Sequence, residues 1–285
     1  MRRKGIVALL VLPVVILAGC GTDEGVERVD RWLGEEIADR DCGWLGTETP
    51  EPIAGLAERV DAYAPVEIAP DLTILSADEK AVLDELVAAG RLMDDLFRIQ
   101  ATPCYDELHA LVAGYEGSDR AAVERYFTIN YGPWDRRFHF EPFFGDWEHP
   151  EGANYYPLDL TLADRDRIRD PENGLDGLFT MIRRNGDGDL IAIPYSEFFH
   201  RGLVAAADPL RRAAELSGNA SLRAFLNARA DAFLTDDYFE SDMLWMDLDS
   251  TVETTIGPYE TYEDGLFGYK AAFESFVTVT DPEAS

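Results

Sequence analysis

The first twenty residues, MRRKGIVALLVLPVVILAGC, constrain this chain more than any other stretch. Arg2, Arg3 and Lys4 make a positive start, and Gly5 to Leu17 is apolar with Pro13 as its one interruption. Small residues follow. That order describes an export leader. The apolar run is too short, and too quickly followed by polar residues, for an ordinary membrane-spanning helix. Whatever follows then folds outside the cytoplasm, where disulfides persist. Two further cysteines, Cys42 and Cys104, are available to pair, and a Cys42–Cys104 bridge is the expectation; two buried thiols are the alternative. Neither lies in a C-x-x-C pair, so no cysteine-based metal site is expected.

Leu17-Ala18-Gly19-Cys20 resembles the lipobox of bacterial lipoproteins. The resemblance implies a signal peptide over residues 1–19, cleavage before Cys20, and lipid (palmitate among it) on the sulfur and amine of Cys20. The chain is then held at a membrane in the cell envelope and faces away from the cytoplasm. A plain signal peptide with an incidental cysteine is the alternative. With 55 acidic against 25 basic residues and a net charge of -30, the protein gains nothing from anionic lipid, so the acyl chains must supply the anchoring. The same charge argues against non-specific nucleic-acid binding, which needs cations facing phosphates. It favours attraction of cationic groups.

The 46% of hydrophobic residues is enough for a core in one large domain or two small ones. Val26 to Arg40 carries apolar residues at helical spacing within a tether and N-terminal segment, residues 20–74. Ser76 with Glu79 three residues on is a capping box that opens a long amphipathic helix. Tyr105 to Tyr115 and Asp119 to Arg125 read as helices. Tyr126 to Tyr131 is aromatic and β-branched and stops at Gly132-Pro133. Two apolar runs, 179–184 and 190–194, flank Asn185-Gly-Asp-Gly-Asp189, a hairpin signal because Asn-Gly and Asp-Gly accept positive φ. Glu197 to Leu216 and Ser221 to Leu234 are Ala-rich helices. Thr251 to Ile256 and Phe276 to Thr280 read as strands, with a helical or irregular stretch, Gly265 to Glu274, between them. The fold class is α+β, helix-rich, with a small mixed or barrel-like sheet in the second half.

Catalytic motifs are not visible. The four histidines, His109, His139, His149 and His200, show no metal-site spacing. The Asn185 loop fails as a calcium loop, because Leu190 stands where glycine is needed and Ser196 where glutamate is. There is no G-x-S-x-G and no phosphate-binding glycine loop.

Two segments go further. YFTINYGPWDRRF with GANYYPLDLT lies in 126–161, and SDMLWMDLDSTVETTIGPYETYEDGLFGYKAAFESFV spans 241–277. Together with IPYSEFF and SLRAFLNARADAFLTDDY, they resemble the N-terminal half of the dipeptidyl peptidase III family of zinc metallopeptidases, in its bacterial branch. The resemblance covers residues 75–285. It implies part of a two-lobed cleft fold that binds peptides by their free amino terminus. It also implies zinc for the full-length family, held by a His-Glu-x-x-x-His motif and a later Glu; that motif is absent from this sequence, so no cofactor is expected in this chain. Glu253 matches the family Glu that contacts the substrate amine. Thr255 stands where the characterised branch has a Tyr. Asn130, Tyr131 and Trp134 fall in the family's Asn-Tyr-Gly-Pro-Trp-Asp run, either as the cleft floor or as a Gly-Pro turn braced by aromatics.

Three functions follow as expectations. One is the substrate-side half of a membrane-anchored peptidase in truncated or fragmentary form, inactive by itself. Another is a complete, non-catalytic peptide- or solute-binding lipoprotein. The third is a structural or interaction protein of the envelope.

Overall fold

The computed structural model describes the backbone of Ile6–Val7 and residues 42–170 and 172–280. Cys20 and the 26–40 stretch lie outside the described residues. In chain order the strands are β1 (Ile6–Val7), β2 (Trp134–Asp135), β3 (Glu141–Pro142), β4 (Thr180–Arg184), β5 (Leu190–Pro194), β6 (Val252–Glu260) and β7 (Ala272–Thr280). The helices are α1 (Leu56–Asp61), α2 (Ala77–Ala101), α3 (Tyr105–Ala113), α4 (Arg120–Asn130), α5 (Arg165–Ile168), α6 (Tyr195–Phe198), α7 (His200–Leu216), α8 (Ala220–Thr235) and α9 (Phe239–Met246).

The spine is α2. Its capping box is closed from both sides: Glu79 N donates to Ser76 Oγ at 3.2 Å, and Ser76 N donates to Glu79 Oε2 at 2.8 Å. Val82, Leu86, Ala89, Met93, Leu96 and Gln100 alternate at steps of four and three, so they share one face of the helix. All six are buried. That helix packs on α7 and on the β6–β7 ribbon, and α8 lies against α7.

The sheets are small and antiparallel: β1-β7-β6, β2-β3 and β4-β5. No closed barrel and no mixed sheet forms among the described residues, which corrects the barrel-like or mixed expectation. The β4–β5 hairpin turns where Asn185 Oδ1 accepts from Asp187 N and Asp189 N, at 3.0 and 2.8 Å. The β6 and β7 strands each run longer than the pattern suggests, and part of Gly265–Glu274 is strand.

The aromatic run after Arg125 is helical. It continues α4 because Val123, Tyr126, Phe127 and Asn130 fall on one buried face, and burial outweighs the β preference of single residues. Tyr131 ends the helix in the left-handed region, with φ 59°. Upstream, Cys42 and Cys104 form a disulfide with Cα atoms 5.9 Å apart. The backbone beyond Cys42 then zips onto the loop after β3: Gly145 N donates to Glu51 O at 3.1 Å and Ile53 N to Phe143 O at 2.9 Å.

Candidate functional site

The β6–β7 ribbon has two faces because side chains alternate along a strand. On one, Thr254, Ile256, Ser275 and Val277 are buried toward α2. On the other, Glu253, Thr255, Glu274 and Phe276 are only partly covered. Glu253 faces Thr278 across the ladder, and Glu274 faces Gly257. Two carboxylates therefore share one half-open face. Burial, with the nearby Glu260 carboxylate, raises the pKa of Glu274 to about 7.

Polar side chains fix this ribbon from several directions. Gln100, the last residue of the α2 stripe, donates from Nε2 to Ala271 O at 3.1 Å and accepts from Phe273 N at 2.7 Å. A polar residue on an apolar helical stripe was the available signal for it. From α8, Arg229 reaches the β6 edge. Its guanidinium lies 5.2 to 5.4 Å from the ring centroids of Phe225, Tyr238 and Tyr259. Gly257, at φ 141°, admits it: a Cβ there would stand 2.9 Å from Arg229 Nη1.

The loop joining β6 to β7 is organised by Asp264. Its carboxylate accepts from the backbone N–H groups of Leu266, Phe267, Tyr269 and Lys270 and from Tyr156 Oη at 2.7 Å. Next to it, Lys270 is fully buried. Its Nζ donates to Leu175 O, Gly177 O and Thr180 Oγ1 at 2.7 to 2.8 Å. Burial is the leading influence on Lys270 and lowers its pKa to about 7, against the opposing pull of Asp264 and Asp176.

These contacts join the two segments singled out in the sequence. Arg136 makes a bidentate pair with Glu263, at 2.8 and 2.7 Å, across 127 residues of chain. Tyr156 meets Asp264 across 108. Asn130 and Trp134 do not face open space. Asn130 Nδ2 donates to Tyr126 O and its Oδ1 accepts from Arg136 N, while Trp134 Nε1 donates to Trp147 O. Tyr131 Oη donates to Asp94 at 2.6 Å, and its carbonyl accepts from Thr102 Oγ1. The Gly-Pro turn is thus braced by aromatics and buried polar bonds at α2 and Thr102. Arg136, which is partly covered, and the buried Arg229, Asp264 and Lys270 escape sequence reasoning because each has a partner on another element of the fold.

The histidines are scattered. His109 stacks near Tyr105, and His200 Nδ1 lies 3.2 Å from Ser196 O. His149 stacks on Phe140, and burial lowers its pKa to about 4. Among the described residues, one group of potential ligand atoms gathers within 4.8 Å: Cys42, Cys104 and Glu107, and its sulfurs are bonded to each other. These residues do not fit a His-Glu-x-x-x-His zinc centre.

Known proteins share this fold. Dipeptidyl peptidase III from Caldithrix abyssi superposes with a TM-score of 0.76 and 43% identity, over 80% of this chain and 44% of that one. This is the fold of the N-terminal half of dipeptidyl peptidase III. The enzyme of that name from Corallococcus sp. strain EGB gives 0.75 and 38%, over 79% of this chain and 43% of that one. Residues 181–285 match the model of peptidase family M49. Nudix hydrolase 3 of Arabidopsis thaliana is 31% identical over 81% of this chain and 37% of its own length. The chain spans less than half the length of these relatives, and the match to dipeptidyl peptidase III is to the N-terminal half.

Proposed function

We propose that this chain is a lipid-anchored envelope protein, attached through Cys20, that supplies the amine-binding wall of a dipeptidyl peptidase III-like cleft. The observation that carries the proposal is the position of Glu253 on the half-open face of a ribbon held rigid by Gln100, Asp264 and Arg229. A carboxylate on such a face attracts the ammonium of a peptide N-terminus, a charge-assisted contact stronger than a neutral hydrogen bond. Thr255 beside it argues for a peptide preference that differs from the branch bearing Tyr. Asn130, Tyr131 and Trp134 act one layer behind, keeping the ribbon's support in place.

No hydrolytic step is assigned to these residues. The zinc motif of the family is absent from this sequence, and the chain alone is expected to bind peptide without cleaving it. Titration of a tetrapeptide into the full chain tests this. Binding should be saturable, should collapse when the peptide's amine is acetylated, and should weaken about tenfold in Glu253→Gln. Equal binding of the acetylated peptide would sink the reading and favour a structural or interaction role. The intact mass of the protein released from membranes by detergent tests the anchor. It also separates a binding lipoprotein of this length from one half of a larger peptidase.

A further inference from the structure

Away from the β6–β7 face, and sharing no residue with it, lies a cleft of about 470 Å³ between the segment after Cys42 and the loop after β3. Two indoles form one corner of it. Trp44 and Trp147 meet edge to face with ring centroids 6.1 Å apart. Its other lining side chains include Glu48, Glu51 and Asp146, and no lysine, arginine or histidine. The volume suits a small ligand.

The corner is built, not a loop that happens to fold over. The Cys42–Cys104 disulfide pins the chain two residues before Trp44. The backbone bonds of Glu51 and Ile53 hold the far end of the segment against residues 143–145. On the opposite wall, Trp134 Nε1 fixes the Trp147 carbonyl at 2.7 Å. Gly145, at φ 77°, lets the Trp147 ring lie over the backbone: a Cβ there would come within 2.4 Å of the ring.

We propose that this cleft binds an organic ammonium group. Indole faces attract a cation through the ring quadrupole and also cover its carbon substituents, which is how aromatic cages hold quaternary ammonium groups. The three carboxylates add an attractive field that no basic lining residue cancels. A small metal ion is the wrong occupant. It needs ligand atoms converging on one point, and these three carboxylates do not gather as the Cys42, Cys104 and Glu107 atoms do. The group can arrive on a free small molecule or on a lysine side chain.

Calorimetric titration of the full, disulfide-intact chain with choline tests the proposal, with its uncharged carbon isostere 3,3-dimethylbutan-1-ol as control. Choline should bind saturably at one site, and the isostere about tenfold more weakly. Trp44→Leu and Trp147→Leu should each weaken choline about fivefold. Because either indole change can disturb folding, the exposed pair Glu48→Gln with Asp146→Asn gives an independent arm. It should weaken binding about threefold at low salt, a difference that shrinks as salt is added. N-acetyl-lysine methylamide replaces choline in a parallel titration: tighter binding of it assigns a protein side chain as the source, and tighter binding of choline assigns a free molecule. The proposal is overturned by a lack of saturable binding of both, by an isostere that binds as well as choline, or by binding that none of the four substitutions changes.

Discussion

Among the described residues two cations are buried completely, and their surroundings differ. Lys270 sits in a cradle of two backbone carbonyls and the Thr180 hydroxyl, where three oxygens meet the three N–H groups of an ammonium. Arg229 sits in a box of aromatic rings. Its Nη2 reaches Asp242, whose side chain is 53% exposed, while Nε and Nη1 have no hydrogen-bond partner. A lysine that satisfies buried carbonyls is hard to replace, since its loss strands acceptors that water cannot reach. An arginine whose partner remains hydrated, and whose donors are partly idle, carries much of its own desolvation cost. The cradle stabilises through polar matching. The box mainly fills volume beside Gly257 and keeps the β6 edge in position.

The sharpest way to break this comparison is Lys270→Met. It should cost about 3 kcal/mol in denaturant unfolding, because Leu175 O and Thr180 Oγ1 lose their donor. A cost below about 1 kcal/mol would mean that water replaces the ammonium and that the cradle is not a matched site. Asp264→Asn comes next, at about 2 kcal/mol, since an amide presents donors to the loop's own N–H groups. Protease nicking between residues 261 and 271 should rise with it.

On the Arg229 side, Glu274 offers a pH test. Its folded pKa of about 7 stands above the ordinary 4.5, so the unfolded chain releases this proton first. Stability from this group is therefore full below pH 4.5 and falls as pH rises to about 7, then levels off. Glu274→Gln should flatten that stretch and add about 1 kcal/mol at pH 8. An unchanged profile would show that Glu274 is hydrated and that Glu260 does not reach it.

The smallest effect belongs to Arg229→Met. Because the thioether fills similar space among the rings and leaves no idle donor, unfolding should shift by less than about 1 kcal/mol in either direction. A loss like that of Lys270→Met would place both cations in one class and dissolve the distinction.

Much of the architecture was legible locally. The Ser76–Glu79 box and the four–three stripe announce α2, because both the cap bonds and the apolar face involve residues within one or two turns. The Asn185 turn announces β4 and β5 for the same reason. The helix through Tyr126 was not legible: aromatic and β-branched residues favour a strand locally, and only the packing of Tyr126 against Tyr63 and Phe143 and of Phe127 against Tyr105 decides otherwise. The candidate site was marked in the sequence by Glu253 and the two family-like segments. Their meeting through Arg136–Glu263 and Tyr156–Asp264 was not.

By itself, the sequence determined the leader pattern, the acidic balance, the helix-rich α+β class and the segments that resemble dipeptidyl peptidase III. These rest on composition and on neighbours close along the chain. Only the tertiary structure decided which polar groups lie buried. Lys270, Asp264 and Arg229 look like surface residues in one dimension. Each is held inside by partners brought in from other elements, because burying a polar group is tolerable only where folding delivers its hydrogen bonds or encloses it in rings.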